Sequence, residues 1–575
     1  MSKRVLVIGL DGATWDLMTP WMNDGLLPNL RALRDGGLSG NLASTIHPVT
    51  TPAWTSFLTG QQQGKHGIYD HVRRRPDSYK MEITNATMIK SPLLFDYIGE
   101  HFGYNHHEDH DCGDVNQSNK PQGGRTISVN VPYTYPPRPI PGDMVSGLFA
   151  TIVGPEITEP PELYREIAQV APNYVVHPDF DPKADDPLQD FLSRYLDCIR
   201  DRVKVALYLM QKEPWSFSIV VFMATDQIQH AYWHFMSEQN RNDPVVGHLH
   251  DAILQVYQTI DAEIPALLEL TDEETLVLAM SDHGAGPLHR FVNLNRWLAN
   301  EDLLTFKKQK SSLRSSLLKQ SATLYKRYLP ATWRFYIRKR LGRNFDRVKS
   351  EMESQLFASP IDWGQTKAYS MGACGNIFIN LQGREPEGIV EEGEEYERVR
   401  TLIIEQLMKL RDADTNELIV KNVHKREDLY QGPYLEQAPD LVIVWLDYRY
   451  WGRGRYDQND PPLFQEPKTW DFSDLPLTAT HRPEGMLIAY GPNIEPESLI
   501  NDACLIDLAP TILAYLEIPI PSSMDGKVLS SILPNVLLQE SRIEREFEQH
   551  NVQNFTFSED DENKIMKRLE NLGYL

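Results

Sequence analysis

An α/β fold, with a mostly parallel central sheet flanked by helices and an inserted helical cap, is what this sequence predicts. Three observations carry the prediction. Apolar runs of strand length recur along the chain, bounded by Gly or polar turns, which is how strands covered on both faces read. Helical patterns such as Tyr396 to Leu410 separate them, and that alternation is the mark of α/β architecture. At 575 residues the chain exceeds the roughly 250–300 residues at which a single core stops growing, so one large core with insertions, or two domains, is expected.

Taken in order, Val5 to Leu10 is the first strand, closed by Asp11-Gly12, and Leu27 to Leu33 has helical spacing. His47 to Gly60 reads as a tight turn followed by a buried helix. Pro52 has a fixed φ and no N–H, so it suits the first helical turn, and Thr50 or Thr51 has the residue type of an N-cap. A hydroxyl there lies beside free backbone N–H groups and the positive end of the helix dipole, where an anion such as phosphate is held. An ordinary capped helix is the plain reading of Thr-Thr-Pro taken alone. Ser91 to Ile98 reads as a helix and Thr126 to Val131 as a strand. Further strands are expected at Phe217 to Ala224, Thr275 to Met280, Asn376 to Leu381, Leu441 to Leu446 and Met486 to Tyr490.

Composition narrows the function classes. With 41% hydrophobic and 10% aromatic residues the chain can bury a core. A formal charge of −23 argues against binding to nucleic-acid duplexes. Cys112, Cys198, Cys374 and Cys504 show no C-x-x-C spacing, so a reducing compartment is expected. The apolar run after Met1 is short and stops at Asp11, as a strand does and a signal peptide does not. No uninterrupted apolar stretch reaches the roughly 18 residues of a membrane span, and a cytoplasmic protein is the expectation.

In open α/β sheets the ligand site lies at the carboxyl ends of the strands. Asp11 closes the first strand. Asp226 follows the Phe217 strand, with His230 four residues on and on one face of a helix starting there. Asp282-His283-Gly284 closes the Thr275 strand, and His481 sits in a loop before the Met486 strand. Singly these have plainer readings, as turn formers, caps or a helix-surface pair. Together they supply three carboxylates, three imidazoles and the Thr50 hydroxyl, a mixed donor set that suits zinc, with manganese or iron as alternatives.

The motifs Gly9-Leu10-Asp11-Gly12, Thr50-Thr51-Pro52 running on to Leu58-Thr59-Gly60, His66-Gly67-Ile68, Asp226-x-x-x-His230, Ser281-Asp282-His283-Gly284 and His481 occur in one order. That order resembles the type I phosphodiesterase/nucleotide pyrophosphatase branch of the alkaline phosphatase superfamily, over residues 1 to about 300 and about 365 to 530. The resemblance implies an alkaline-phosphatase-like core. It implies that Asp226, His230 and His481 bind one divalent metal and that Asp11, Asp282, His283 and the Thr50 oxygen bind a second. Gly372 to Gly388 and Asp507-Leu508-Ala509-Pro510-Thr511, with Met524-Asp525-Gly526-Lys527, are similar to the same group.

The chemistry explains the residue types. A threonine hydroxyl is a weak nucleophile, and coordination to a dication makes its alkoxide accessible. Two metals roughly 4 Å apart clamp both ends of an in-line displacement at phosphorus. The resemblance thus implies a phosphodiesterase or phosphohydrolase that carries the phosphoryl group on Thr50, with a phosphorylated small molecule or lipid as substrate. Sulfatases of the superfamily have Cys or Ser followed by x-Pro-x-Arg, whereas here Thr50 is followed by Thr51-Pro52-Ala53-Trp54, which disfavours sulfatase activity. Nucleotide pyrophosphatases commonly place a phosphate-contacting Asn shortly after the His-Gly-Ile. This chain has Tyr69-Asp70-His71 there, and these three with Thr51 are the expected substrate contacts. A phosphotransferase or mutase using the same threonine, and a non-catalytic phospho-ligand binder, remain as alternative readings.

The expected domains are a catalytic core at 1–300 and 365–535, a polar loop insertion at 103–124, a basic helical cap at 301–364 and a C-terminal helical tail at 536–575. His106, His107, His110 and Cys112 in the polar loop match no standard zinc spacing. Between Lys307 and Lys349, fourteen Lys or Arg residues face one acid, Asp346. A solvated face on a packed helix is the plain reading; peripheral contact with an anionic membrane or substrate is the functional one.

Overall fold

Along the first strand, Leu6, Ile8 and Leu10 enter one apolar layer while Val5 and Val7 enter another. Both faces of this strand are therefore covered, which is why its sequence is an unbroken apolar run. The computed structural model describes residues 3–102, 124–150, 153–307, 361–454, 462–470, 475–533, 542–543 and 555–571. The polar loop histidines with Cys112, and the basic segment beyond Lys307 up to Lys349, lie outside the described residues.

The strands that build the sheets and the site are, in chain order, β1 (Arg4–Leu10), β2 (Leu38–Ala43), β3 (Thr126–Val129), β4 (Gly142–Val145), β5 (Thr158–Glu159), β6 (Phe217–Phe222), β7 (Thr275–Met280), β8 (Gly284–Pro287), β9 (Ala368–Ser370), β10 (Asn376–Ile379), β11 (Val420–Lys425), β12 (Leu441–Trp445), β13 (Ala479–Arg482), β14 (Glu484–Tyr490) and β15 (Ser498–Cys504). Nine of them form one sheet in the order β15-β2-β14-β7-β1-β6-β3-β4-β5. Only β14 and β5 run against the other strands of this sheet. The expected α/β class with a mostly parallel sheet is what the chain adopts.

One face of the sheet is covered by the helices Pro187–Lys212 and Ala252–Leu268 through Leu192, Ile199, Val203, Ile253, Val256 and Ile260. The other carries the helices Thr50–Thr59, Leu94–His101 and Leu508–Tyr515 through Trp54, Phe57, Leu94, Ile98, Leu508 and Ile512. Each such side chain, fully buried, contributes about 1.5–3 kcal/mol relative to exposure, so the two layers hold the sheet that positions the site.

Two expectations are corrected. The runs beginning at Asn376 and Leu441 do not join the parallel sheet; they form β10 and β12 of a separate antiparallel sheet, β9-β10-β12-β11, with its own apolar cluster around Ile377, Ile379, Ile443 and Trp445. Helix Glu394–Leu407 packs into that cluster through Val399, Ile403 and Leu407. A strand covered on both sides has the same apolar run whichever way its neighbours point. His481 lies inside β13, opposite Ala285 of β8, and not in a loop; that pairing joins positions 196 apart in sequence, which local pattern does not reveal.

Asp70, just before the short strand Val72–Arg74, ties that segment to the start of the second sheet. Its carboxylate accepts from the backbone N–H of Ala373 at 2.8 Å and from Asn376 Nδ2 at 3.2 Å. At the C-terminal side, helix Glu559–Asn571 buries Ile565 and Leu569 in the main core. Just before it Phe557 stacks on Tyr135, with centroids 6.0 Å apart. Arg568 Nη1 donates to the carbonyl of Ala150 at 3.3 Å. Among the described residues, no helix is long and apolar enough to cross a membrane.

Candidate metal centre and active site

Three neighbouring parallel strands end in carboxylates. The register pairs Leu10 of β1 with Phe222 of β6 and Gly9 with Met280 of β7, so Asp11, the first turn of helix Ala224–Tyr232 with Asp226, and Asp282 emerge at one edge of the sheet. Gly12 follows Asp11 and packs close to the other two. Its N–H donates to Asp282 Oδ1 at 3.3 Å, its carbonyl accepts from Gln229 Nε2 at 2.9 Å, and it turns with φ +67°. A Cβ on Gly12 would lie 3.0 Å from Asp226 Oδ1 and 3.2 Å from Asp226 Cα.

Two groups of buried side chains converge here. Ligand atoms of Asp226, His230 and His481 lie within 4.8 Å of one another, and so do those of Asp11, Asp282 and His283. Each imidazole has Nδ1 against a main-chain carbonyl: His230 on Ala479 at 3.0 Å, His481 on Pro48 at 2.6 Å and His283 on Gly284 at 3.0 Å. A carbonyl only accepts, so each Nδ1 carries the hydrogen and each ring, in its neutral form, turns the Nε2 lone pair inward; burial lowers His230, but the Asp226 carboxylate outweighs it and raises that ring above the usual imidazole range. His230 Nε2 and His481 Nε2 then face each other at 3.0 Å, with Asp226 Oδ1 at 3.2 and 3.3 Å from them. Two lone pairs at that distance repel unless a proton or a cation lies between them.

The second group shows the same conflict in its carboxylates. Trp54 Nε1 donates to Asp11 Oδ2 at 2.8 Å, yet Asp11 Oδ1 and Asp282 Oδ2 accept no hydrogen bond although both are buried. Burial pushes Asp11 well above the usual carboxylate range, reinforced by the charges of Asp282 and Asp226. Asp282 is pushed up by burial and by Asp226. Burial also raises Asp226, but charge on the His230 imidazole and hydrogen bonds from His230 and His481, made when a proton sits on Nε2, bring it well below the usual range. His283 is driven down by burial and by His481. Orphaned carboxylate oxygens beside inward Nε2 lone pairs form a donor set that a divalent cation fits, because it satisfies both at once.

Thr50 is the first residue of helix Thr50–Thr59 and is buried. Its Oγ1 lies 3.3 Å from His283 Nε2. The expected N-cap role is corrected: Val49 is the cap, no side chain caps the helix, and the Val49 carbonyl accepts from Ala53 N at 3.0 Å. Pro52 sits at the third helical position, where the missing N–H is still free of cost. The hydroxyl of Thr50 is thus released from backbone capping and faces the second group.

Of the four expected substrate contacts, Thr51 and His71 are bonded to each other beside Thr50 through Oγ1 and Nδ1. Tyr69 and Asp70 are engaged elsewhere. The Tyr69 hydroxyl donates to the carbonyl of Tyr434 at 2.9 Å, and Asp70 is bound to Ala373 and Asn376. Burial pushes Asp70 up to about 7 despite those N–H donors. His66 is a clasp in the fold: Nδ1 accepts from Ile68 N at 3.2 Å, which leaves Nε2–H to donate to Ser56 Oγ at 2.9 Å. Trp54 was not singled out by sequence reasoning; its place one turn after Thr50, on the same helix face, is the signal that points to the Asp11 side of the site.

No curated protein matches the chain. Among solved structures, phosphonoacetate hydrolase from Sinorhizobium meliloti 1021 in complex with phosphonoformate is similar at 12% identity, covering 90% of this chain and 96% of that one, with a TM-score of 0.45. Murine ectonucleotide pyrophosphatase / phosphodiesterase 5 in complex with AMP is similar at 11% identity, covering 93% and 99%, with a TM-score of 0.46. The human form of that protein is similar at 12% identity over the same shares, with a TM-score of 0.46. The sequence profile of one family matches residues 5–466, which takes in the first strand, the Thr50 helix and both Asp282 and His283. The chain belongs to the type I phosphodiesterase / nucleotide pyrophosphatase family.

Proposed function

We propose that this chain is a two-metal hydrolase that cleaves phosphoester bonds through a covalent phosphothreonine on Thr50. The catalytic core we assign spans 1–300 and 365–535. Asp226, His230 and His481 would hold one divalent cation, and Asp11, Asp282, His283 and Thr50 Oγ1 the other. Zinc suits this mixture of imidazole nitrogens and carboxylate oxygens best, with manganese or iron as alternatives. The observation that carries the reading is Thr50 Oγ1 standing 3.3 Å from His283 Nε2 at the first turn of a buried helix.

When bound, the cations supply Lewis-acid neutralisation of charge on the phosphoryl oxygens and on the attacking and leaving oxygens. The protein's own groups do the rest. Thr50 Oγ1 gives up its proton to solvent water and forms a bond to phosphorus, the ester bond breaks, and the leaving oxygen takes its electron pair and then a proton from water. The backbone N–H groups of the first helical turn have no acceptor within the helix and point at the phosphoryl group. Water then attacks the phosphothreonine, the bond between phosphorus and Oγ1 breaks, and Thr50 regains its proton. In this reading each inward Nε2 would be committed to a cation, so no imidazole of the two groups would serve as a general base. Tyr69 and Asp70 belong to the fold in this reading, not to the substrate contacts. The free thiols of Cys198, Cys374 and Cys504 support placing the activity in a reducing, cytoplasmic setting.

Turnover of bis-p-nitrophenyl phosphate and p-nitrophenyl phosphate, with zinc and with manganese, tests the reading. Thr50→Ala is expected to abolish turnover of whichever ester the wild type cleaves, and quenched wild type is expected to carry a phosphoryl group on Thr50 by mass spectrometry. Retained turnover in Thr50→Ala refutes the covalent mechanism.

A further inference from the structure

Beside the nucleophile stands a pair that the mechanism above does not use. His71 is 1% exposed and its Nδ1 is hydrogen-bonded to Thr51 Oγ1. Its backbone is held as firmly. The N–H donates to Asp70 Oδ1 at 2.6 Å, and the carbonyl accepts from both Thr84 N and Thr84 Oγ1 at 2.9 Å. Phe149 meets the His71 ring edge to face, with centroids 5.8 Å apart at 85°. Phe149 is backed in turn by Tyr133 at 6.4 Å and 82°.

The backbone under these two aromatic rings is strained. Phe149 has φ +82° and Tyr133 φ +63°, a region that bulky L-residues occupy only where their surroundings over-determine them. Both are buried, at 3% and 1% exposure. Arg568 of the C-terminal helix holds the next carbonyl, that of Ala150. The imidazole therefore touches both a strained aromatic pair and the second residue of the helix on which Thr50 stands.

We propose that His71 is a positioning residue for the reaction: through Thr51 it pins the first turn of helix Thr50–Thr59, and so sets the direction of Thr50 Oγ1 toward phosphorus. The proposal rests on the assignment of Thr50 as nucleophile. Val49, the helix cap, makes no side-chain hydrogen bond to this turn, so the Thr51–His71 bond is the side-chain anchor next to the reacting hydroxyl. A nucleophile displaced by about 1 Å loses roughly 100-fold in rate, and an effect of that kind appears in kcat while substrate binding is spared.

Four variants test this: His71→Gln, His71→Asn, Thr51→Val and the double variant Thr51→Val/His71→Gln. Asn places an amide atom near the position of Nδ1 and keeps the bond to Thr51; Gln reaches toward Nε2 and loses it. His71→Gln and Thr51→Val are each expected to lower kcat roughly 10- to 100-fold, with KM within about twofold and metal content unchanged. His71→Asn is expected to recover at least half of that loss on a logarithmic scale. The double variant is expected to be no worse than the poorer single one, because both remove one interaction. Thr51→Val changes only a hydroxyl to a methyl, so it reports even if the His71 variants do not fold. Wild-type kcat in Thr51→Val overturns the proposal, as do additive losses in the double variant or equal losses in His71→Asn and His71→Gln. Absence of the phosphoryl group on Thr50 in wild type would instead remove the mechanism on which the proposal rests.

Discussion

Gly12→Ala is the substitution whose cost can be worked most directly from the geometry. The residue turns with φ +67°, where alanine costs about 1–2 kcal/mol. Its new methyl would lie 3.0 Å from Asp226 Oδ1, 3.1 Å from Asp226 Cβ and 3.2 Å from Asp226 Cα. The carboxylate tip could rotate away, but the backbone carbon cannot, and forced contacts of this kind cost about 1–3 kcal/mol. The stiffer unfolded chain returns about 0.4–1 kcal/mol. The net loss is about 1–4.5 kcal/mol. Gly25 is the control: it has φ +75° and nothing within 4 Å of its added Cβ, so Gly25→Ala is expected to cost only about 1 kcal/mol. Urea unfolding followed by tryptophan fluorescence, in excess chelator, measures both without any contribution from bound metal. Elemental analysis of the reloaded proteins then tests the second half of the expectation, that Gly12→Ala displaces Asp226 and loses the metal held with His230 and His481 while Gly25→Ala keeps two. Equal stability of the two variants, with both metals retained in Gly12→Ala, would refute the reasoning.

Other consequences are as specific. Asp226→Asn is expected to lose one metal per chain and Asp282→Asn the other; chelation is expected to lower the wild-type melting temperature, since a site filled at 100 times its Kd adds about 2.7 kcal/mol. Unchanged melting in chelator would count against both metals. Asp70, lifted from 3.8 to about 7, favours its protonated form in the fold. Its contribution is fully present below about pH 4 and is lost as pH rises through 7, up to about 4 kcal/mol. Asp70→Asn removes that titration, so the stability of wild type minus that of the variant is expected to fall between pH 5 and pH 8 in urea titrations; a difference that rises with pH would contradict it. Phe557→Ala removes a buried ring stacked on Tyr135 and is expected to cost about 3 kcal/mol, seen as early proteolysis of the C-terminal helix.

Much of the main sheet was legible because its strands are covered on both faces, which leaves apolar runs such as Val5 to Leu10 that no exposed strand would show. The carboxylates followed from the same logic, since Asp11, Asp226 and Asp282 each stand just beyond such a run. What pattern alone did not show was pairing at long range. His481 reaches the site because β13 pairs with β8, and Asp70 finds its donors at Ala373 and Asn376, 303 and 306 positions away. The second sheet was hidden for a related reason, because the apolar runs of β10 and β12 say that both faces are covered and not by what. The cap of the Thr50 helix was misplaced because a proline suits any position of the first turn, and the Val49 carbonyl decides where the ladder begins.

Main-chain oxygens of Pro48, Gly284 and Ala479 orient the three imidazoles. A carbonyl is the same atom whatever side chain its residue carries, so no point substitution at Ala479 deletes the acceptor that holds His230. Had carboxylates held the rings, each would be a further position at which one nucleotide change disarms the centre. Drift in the surrounding sequence is therefore filtered mainly by whether it preserves the path of three short stretches of backbone. That is a looser requirement than retaining particular side chains, and it lets the shell around the imidazoles vary widely while the inward lone pairs stay where they are.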